Sequence, residues 1–345
     1  MKNINIKYLL PVITMAFMVL GIFSSCDNDD AAGSSGAPVI TSVAKSVEGD
    51  LVPVTVGDPK NYYIIQGKGL SGVTKIYFND FDTYFNPTLV TDTAIFVLID
   101  EKTPFANASN KIKVVTNQGT VLYDFVVAPP TPRFDSYNPI NAAEGDVVTV
   151  YGNYFLNPTV KVGTADVPVI SSTLTELTFK MPANVSNKYV TVTNISGSAV
   201  SKEAVGSALF DDKWYNDWMF DGPDGKVSLE SSGAVQGKVM LKSVNDAWSG
   251  NQFRNKDWAT LDVTNYSGIR LWIKGDKAGK VAIILNGNWS DPDAKVIEVT
   301  TQWKEYNLPW SSWPFAVTGL QTLVLKDFTG EKSNYYLDNI GFILK

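Results

Sequence analysis

The chain contains no histidine, and Cys26 is the only cysteine among its 345 residues. Without histidine, the Ser-His-Asp and Cys-His nucleophile systems and imidazole-based zinc sites are excluded. A single cysteine also excludes an internal disulfide. Carboxylates therefore remain as the candidates for catalytic chemistry.

Basic residues are also scarce. The 29 Lys and Arg residues are outnumbered by 35 Asp and Glu residues, which gives a formal net charge of -6. Nucleic-acid binding needs a stripe of Lys and Arg along the surface, and the sequence shows none. We therefore expect no nucleic-acid partner. The high content of Val, Thr, Tyr, Phe and Asn instead predicts an all-β protein.

Tryptophan is absent from the first 213 residues, whereas nine lie between Trp214 and Trp313. Indole rings are too large to be fully buried in great number, and a core of about 140 residues accommodates roughly three or four. Several of the nine should therefore face solvent. Exposed tryptophans in one module are typical of a binding surface for a flat, weakly polar partner.

The N-terminus has the pattern of a lipoprotein signal peptide. Lys2 and Lys7 precede an apolar run at residues 9–23, and Ser24 and Ser25 lead to Cys26. The run is shorter than the roughly 20 apolar residues of a membrane-spanning helix. We predict removal of residues 1–25, lipidation of Cys26, and a flexible tether at residues 26–37.

An acidic run at residues 27–30 directly follows this cysteine. It resembles the signal that sends lipoproteins to the outer face of certain Gram-negative outer membranes. The resemblance implies a lipid-anchored, surface-exposed protein of the cell outer membrane. The alternative is that the run is simply the solvated start of the tether.

Two segments, 38–131 and 132–205, consist of short alternating strands separated by Gly, Pro, Asn and Asp. This pattern predicts two small β-sandwiches. Turn glycines Gly67 and Gly152, and closing hairpins at residues 116–119 and 193–197, resemble those of the immunoglobulin-like IPT/TIG family. Neither segment gathers carboxylates, aromatics or basic residues into a predicted site. We expect both to act as spacers.

The last segment, 206–345, predicts a larger β-sandwich. Its motifs at residues 268–275, 303–309 and 336–342 resemble those of jelly-roll carbohydrate-binding domains. The layout of the whole chain is similar to that of Sus-type surface glycan-binding lipoproteins. The resemblance implies non-catalytic capture of a polysaccharide, in association with an outer-membrane glycan transporter complex.

The first candidate site residues lie in the segment 247–255. Strand alternation places Trp248, Gln252 and Arg254 on one face and Phe253 on the other, towards the core. An indole can cover the apolar face of a pyranose ring while amide and guanidinium groups bond to its hydroxyls. We predict that these three residues bind carbohydrate. The alternative is an ordinary polar outer face.

The second set of candidates lies in loops. Trp289 follows Asn286-Gly287-Asn288, and Trp310 and Trp313 flank two serines between prolines. We predict that all three contact the glycan; in the alternative, these loops fold back as hydrophobic lids. Trp272 and Trp303 lie in strand-like segments and are expected to be structural. The sequence leaves open the roles of Trp214, Trp218 and Trp258.

Catalysis would require paired carboxylates about 5 to 10 Å apart, as in glycosidases. The C-terminal segment has no strand with closely spaced acids, so we predict that the protein is not an enzyme. Several turn aspartates carry the oxygen ligands that a structural calcium requires. These are Asp211, Asp212, Asp291, Asp293 and Asp338. Plain turn carboxylates are the favoured interpretation, and no metal or cofactor is predicted.

Three classes of function thus remain open: a polysaccharide-binding lipoprotein, a protein-binding adhesin or scaffold, and a carboxylate-dependent glycosidase. Aromatic residues clustered with amides favour the first. Several tryptophans in one module favour an extended, flat-faced glycan such as a β-glucan or hemicellulose.

Overall fold

A computed structural model describes residues 36–47 and 49–345 of the chain. Cys26 and the predicted signal peptide lie outside these described residues. Within the described part, the regular structure consists of β-strands and short 3-10 turns, which confirms the predicted all-β fold. Within the same residues, no helix is long and apolar enough to cross a membrane.

The described part of the chain divides into two compact units, one ending at Ala128 and one running from Pro129 to Lys345. The first unit contains the first sandwich. The second contains both the second sandwich and the larger C-terminal sandwich. The domain boundaries predicted from sequence, at 38–131, 132–205 and 206–345, stay predictions. The second and third of these modules pack together as one compact unit.

The first sandwich has two four-stranded antiparallel sheets, with a short parallel pair beside them. Its strands are β1 (Val39–Lys45), β2 (Val56–Gly57), β3 (Tyr62–Lys68), β4 (Val73–Phe78), β5 (Phe81–Thr83), β6 (Phe85–Val90), β7 (Ala94–Leu98), β8 (Lys111–Thr116), β9 (Gly119–Asp124) and β10 (Val126–Val127). The sheet orders are β1-β3-β7-β6 and β5-β4-β8-β9, and β10 pairs with β2. Tyr63, Ile76 and Phe125 are among the core residues between the sheets.

The second sandwich repeats this topology. Its strands are β11 (Arg133–Asn138), β12 (Val147–Asn153), β13 (Thr159–Val162), β14 (Ala165–Val167), β15 (Val169–Ser172), β16 (Glu176–Lys180), β17 (Tyr189–Asn194) and β18 (Gly197–Ala204). Its sheet orders are β11-β12-β16-β15 and β14-β13-β17-β18. Each strand of the second sandwich therefore has a counterpart at the same place in the first, and the two immunoglobulin-like sandwiches of the sequence prediction are confirmed.

Gly67 and Gly152 are glycines for the same steric reason in both sandwiches. A Cβ at Gly67 would lie 1.9 Å from the carbonyl oxygen of Val39, and one at Gly152 would lie 2.0 Å from that of Arg133. In both sandwiches the opening strand bulges next to this contact. Only glycine lets the two backbones approach so closely.

The C-terminal sandwich is a jelly-roll-like pair of antiparallel sheets. Its strands are β19 (Ala208–Asp211), β20 (Lys213–Trp214), β21 (Trp218–Asp221), β22 (Val227–Glu230), β23 (Met240–Asn245), β24 (Gly250–Asn255), β25 (Leu261–Asp262), β26 (Tyr266–Gly275), β27 (Gly279–Leu285), β28 (Lys295–Val299), β29 (Lys304–Pro309), β30 (Gly319–Leu320), β31 (Thr322–Asp327) and β32 (Ser333–Leu344). Short 3-10 turns span Asp291–Asp293 and Trp310–Ser312.

One sheet of this sandwich has seven strands and the other has five. In the seven-stranded sheet, β20-β19-β32-β23-β22 form one path, and β26 joins β32 to β29. The five-stranded sheet has the order β21-β24-β31-β27-β28, and β25 pairs separately with β30. The core between the two sheets includes Phe253, Leu271, Leu325 and Leu337.

A buried polar junction joins the second sandwich to the C-terminal sandwich. Arg270 on β26 is 4% exposed, and its Nε lies 4.0 Å from Oε1 of Glu203 on β18. The amide of Asn339 donates to the same Glu203 oxygen at 3.0 Å. The backbone N–H of Ile140 donates to Asp211 at 2.8 Å. Charged groups buried in this way need one another as partners, so the two modules depend on each other for stability.

Candidate functional site

The candidate site is the outer face of the five-stranded sheet, which we call the aromatic face. Alternation along β24 turns Gln252 and Arg254 outward and Phe253 inward, where Phe253 is 1% exposed. This confirms the side-chain directions predicted for these three residues. On neighbouring β31, Val324 and Lys326 are register partners of Gln252 and Gly250 and therefore belong to the same face.

Gln252 and Arg254 are joined by a residue that sequence reasoning missed, Asp221 on β21. The amide of Gln252 donates to Asp221 at 3.0 Å, and Nη2 of Arg254 donates to it at 3.1 Å. The hydrogen bond from Arg254 lowers the pKa of the Asp221 carboxyl, so the carboxylate is charged at neutral pH. Asp221 faces Gln252 directly across the β21–β24 pair. No local pattern in the sequence indicates this pairing.

The guanidinium of Arg254 also supports Trp258. It lies 4.3 Å from the centre of the Trp258 ring, while Nη1 donates to the backbone oxygens of Asn255 and Lys256. The prediction that Arg254 fixes ligand hydroxyls remains untested. In this geometry the Arg254 side chain is bound by Asp221 and two backbone oxygens, and its guanidinium stacks on the ring of Trp258, which is 48% exposed.

The sequence leaves the role of Trp258 open, and in the structure Trp258 is one of three tryptophans with large exposure. It follows β24 in a polar turn and has a positive φ of 58°. The pattern that predicts exposure of Trp289, an aromatic residue within a polar turn, also applies to Trp258 and could have predicted its exposure. Its backbone oxygen accepts a hydrogen bond from Gln321 at 2.6 Å, which fixes the turn.

Trp289 lies at the other end of β24. A Cβ added to Gly250 would lie 3.3 Å from the Trp289 ring and 2.7 Å from Val324. The absence of a side chain at Gly250 therefore lets the indole rest on the sheet. The loop that carries it is tethered by Lys326, whose Nζ is 3.6 Å from Asp291. Trp289 remains 49% exposed, as a ligand-contacting side chain requires.

Trp248 is the third exposed indole, with 56% of its surface accessible. It precedes β24 in a turn with a φ of 59°, and its ring meets the edge of Phe328 at 5.6 Å. The Asp327 carboxylate fixes the turn by accepting a hydrogen bond from the backbone N–H of Trp248 at 3.0 Å. Burial opposes ionisation of Asp327, but hydrogen bonds from Tyr335 and from the backbone hold its pKa below the usual value. Asp327 is thus a positioning residue for Trp248.

Trp313 does not belong to the aromatic face, and the prediction that its loop presents it at the surface is wrong. Trp313 is 4% exposed, is part of the core cluster, and donates its ring N–H to the Ile283 oxygen at 3.3 Å. Trp310 is half-buried and donates to the Tyr266 oxygen at 2.9 Å. The loop folds back as a hydrophobic lid because packing two indoles on the core removes more apolar surface from water than presenting them.

The remaining tryptophans have structural contacts. Trp218 is 3% exposed in the core, and Trp214 packs against Phe253 with a ring-centre distance of 5.0 Å. Trp303 donates to the Gly233 oxygen at 3.1 Å and faces Lys274. Trp272 is half-buried on the opposite, seven-stranded sheet. The exposed indoles therefore gather on one side of the C-terminal sandwich.

Asp211, Asp212 and Asp338, three of the five turn aspartates that carry possible calcium ligands, accept hydrogen bonds from backbone N–H groups instead. Asp338 accepts the backbone N–H groups of Val235 and Gln236, and Asp212 accepts those of Lys238 and Val239. Burial raises the pKa values of Asp211 and Asp338 to about 6. Among the described residues, no group of three or more Cys, Asp or Glu side chains is placed to hold a metal ion.

The aromatic face offers three indoles with amide and carboxylate groups between them. From Gly250, beneath Trp289, to Arg254, beneath Trp258, β24 extends roughly 13 Å at about 3.3 Å per residue. This length suits several rings of an extended chain. Indole faces can cover apolar C–H surfaces of such rings while Gln252 and Asp221 bond to polar groups at their rims.

Comparison with known proteins supports the fold. Residues 132–205 match the model of the IPT/TIG domain. An IPT/TIG domain-containing protein of Bacteroides ovatus is 26% identical over 221 residues, which cover 56% of this chain and 43% of that protein. The chain therefore matches less than half the length of this curated relative.

Two solved structures extend the similarity to 90% of the chain. A surface glycan-binding protein from Prevotella bryantii is matched over 99% of its length, with a TM-score of 0.51 and 17% identity. SGBP-B from a complex xyloglucan utilization locus in Bacteroides uniformis is matched over 100% of its length, with a TM-score of 0.38 and 15% identity. The Prevotella structure shares the overall fold of this chain.

Proposed function

We propose that this protein is a non-catalytic, cell-surface polysaccharide-binding protein and that the aromatic face is its binding site. The observation that carries the proposal is the placement of Trp248, Trp258 and Trp289 around the outer face of one sheet, beside Gln252, Arg254 and Asp221. Each of the three tryptophans is 48% to 56% exposed, whereas each of the other six tryptophans is less exposed and belongs to the intermediate or buried class. Large exposed aromatic side chains that gather on one face are typical of a ligand-binding surface.

The chemistry between the indoles favours a sugar chain over a protein partner. Gln252 and Asp221 present amide and carboxylate groups between the aromatic ends, the combination that bonds to hydroxyls. Because the face is open and extends along β24, it suits an internal stretch of an extended glycan such as a β-glucan or hemicellulose. The Prevotella bryantii protein of the same overall fold is a surface glycan-binding protein, in agreement with this ligand class.

Affinity electrophoresis tests the proposal. The protein should migrate more slowly in native gels containing xyloglucan or mixed-linked β-glucan than in gels without polysaccharide, because each binding event adds drag. An unrelated acidic protein of similar size is the control for nonspecific retardation. If no polysaccharide in a broad panel retards the protein selectively, glycan capture is the wrong function.

We further propose that lipidation at Cys26 holds the protein on the outer face of the outer membrane, where it works with a glycan transporter complex. The support is the basic and apolar start, the cysteine and the acidic run after it. Surface display would bring the aromatic face to polysaccharides that are too large to cross the membrane unaided.

Protease treatment of intact cells should therefore digest the protein, and Cys26→Ala should release it from the membrane fraction. In this arrangement the acyl chains on Cys26 provide the membrane affinity. Ser25→Ala, one residue away, serves as the matched control and should stay membrane-bound. Complete protection from protease, or a Cys26→Ala protein that remains membrane-bound, would contradict this arrangement.

A further inference from the structure

A cleft of about 450 Å³ lies between the second sandwich and the C-terminal sandwich. Its walls come from both modules and from the short join between them. The lining residues are Asn141, Ala142, Glu144, Pro182, Asn184, Val185, Ser186, Val205, Gly206, Tyr215 and Asn216. The volume is in the range of small-molecule sites, and the lining combines apolar and uncharged polar groups.

The chemistry of this cleft matches that of a sugar-binding surface. Asn184, Ser186 and Asn216 are exposed and offer two amides and a hydroxyl. Tyr215 and Pro182 supply partly buried apolar surface between them. Glu144 is the single formally charged residue in the lining. A neutral, hydroxyl-rich ligand fits these walls better than an ion does, because an ion would need opposite charges to replace its hydration.

A second cleft on the junction, of about 380 Å³, has different chemistry. Lys202, Glu305 and the buried Arg270 line it, and Lys202 and Glu305 form an ion pair at 3.0 Å. This lining is charged, whereas that of the first cleft is mostly neutral. This second cleft therefore offers a comparison surface on the same unit.

The amide-lined cleft begins where the aromatic face ends. The side chain of Asn255, the last residue of β24, donates to the backbone oxygen of Asn216 at 2.8 Å. Next to it, the N–H of Lys256 donates to the Asp217 oxygen at 2.8 Å. The turn that carries Trp258 thus rests directly on the turn that forms one wall of the cleft. The Trp258 end of the aromatic face and this wall of the cleft therefore lie on adjoining turns.

We propose that this inter-module cleft is a second subsite for the same neutral polysaccharide, which extends the aromatic face onto the second sandwich. The inference rests on the proposed function and deepens it. It also revises the expectation that residues 132–205 act only as a spacer. Short oligosaccharides would occupy the aromatic face alone, whereas a polysaccharide would also fill the cleft.

The test compares long and short ligands on the full protein. The double variant Asn184→Gly/Ser186→Ala removes polar groups from the wall of the second sandwich, and glycine tolerates the φ of 59° at position 184. Its affinity for xyloglucan polysaccharide should fall about tenfold, while its affinity for a xyloglucan oligosaccharide of a few backbone sugars should be unchanged. Asn307→Ala, in the second cleft, is the matched control and should bind both ligands normally.

Two outcomes would overturn the subsite. In one, the double variant binds polysaccharide as tightly as the unaltered protein; in the other, it loses affinity for both ligand lengths equally. Thermal melting verifies that the variants are folded. If Trp258→Ala and Trp289→Ala also leave polysaccharide binding intact, the proposed function itself fails, so the two failures can be distinguished.

Discussion

Replacing Trp289 or Trp258 by alanine is expected to weaken polysaccharide binding about 30-fold or more. Loss of a central aromatic contact typically costs about 2 kcal/mol or more of binding free energy, which corresponds to that factor. Both indoles are about half exposed, so their removal should change the melting temperature little. The measurement is isothermal titration with the polysaccharide retained in affinity electrophoresis, together with a thermal melt of each variant.

Two other tryptophans are the controls for this experiment. Trp303→Ala removes a half-buried indole from the opposite sheet and should leave affinity unchanged. Trp313→Ala should lower stability by about 3 to 5 kcal/mol, because it empties a buried core position. If the exposed pair proves to be important for stability and unimportant for binding, the aromatic face is not the site.

Removing the carboxylate of Glu203 by Glu203→Ala is expected to destabilise the second unit by about 3 to 5 kcal/mol. Breaking one side of a buried ion pair leaves the other charge without its partner in a medium that solvates it poorly. Arg270, 4% exposed, would be that charge, and the amide of Asn339 would lose one of its two hydrogen-bond acceptors and keep the other, Gln236. Urea unfolding of the full protein, followed by tryptophan fluorescence, reports on this unit because all nine tryptophans belong to it.

Glu305→Ala is the matched control for Glu203→Ala. Glu305, with a side chain 18% exposed, pairs with Lys202, whose side chain is 65% exposed, so the Lys202 charge stays in solvent and the pair contributes about 1 kcal/mol or less. Equal destabilisation by both variants would show that burial of the Arg270 charge is unimportant.

The same buried junction determines whether the C-terminal sandwich can be studied as a separate fragment. From sequence, residues 206–345 look like an independent domain that could bind glycan alone. In the structure, a fragment starting at residue 206 would lose Glu203, and the carboxylate of Asp211 would lose the N–H of Ile140. Experiments on the aromatic face are therefore best done with the second sandwich attached.

The sequence by itself determined the features that depend on short-range patterns. Alternation with period two placed Phe253 inside and Gln252 and Arg254 outside, because successive side chains of a strand point to opposite faces. The recurring turn glycines Gly67 and Gly152 identified two sandwiches of one kind. Side-chain alternation acts within a single strand. The close backbone contact at each turn glycine acts between two strands that pair in the same way in both sandwiches.

Only the tertiary structure decided which loop tryptophans face solvent. Trp289 and Trp313 both lie among turn residues, yet one rests on the sheet surface and the other is buried in the core. The direction of a loop depends on the apolar surface available to cover it, and that surface comes from distant strands. Asp221 joins Gln252 from 31 positions away, and Glu203 meets Arg270 across the junction between two modules. Such pairs are set by packing in three dimensions, because residues far apart in sequence carry no local signal of their contact.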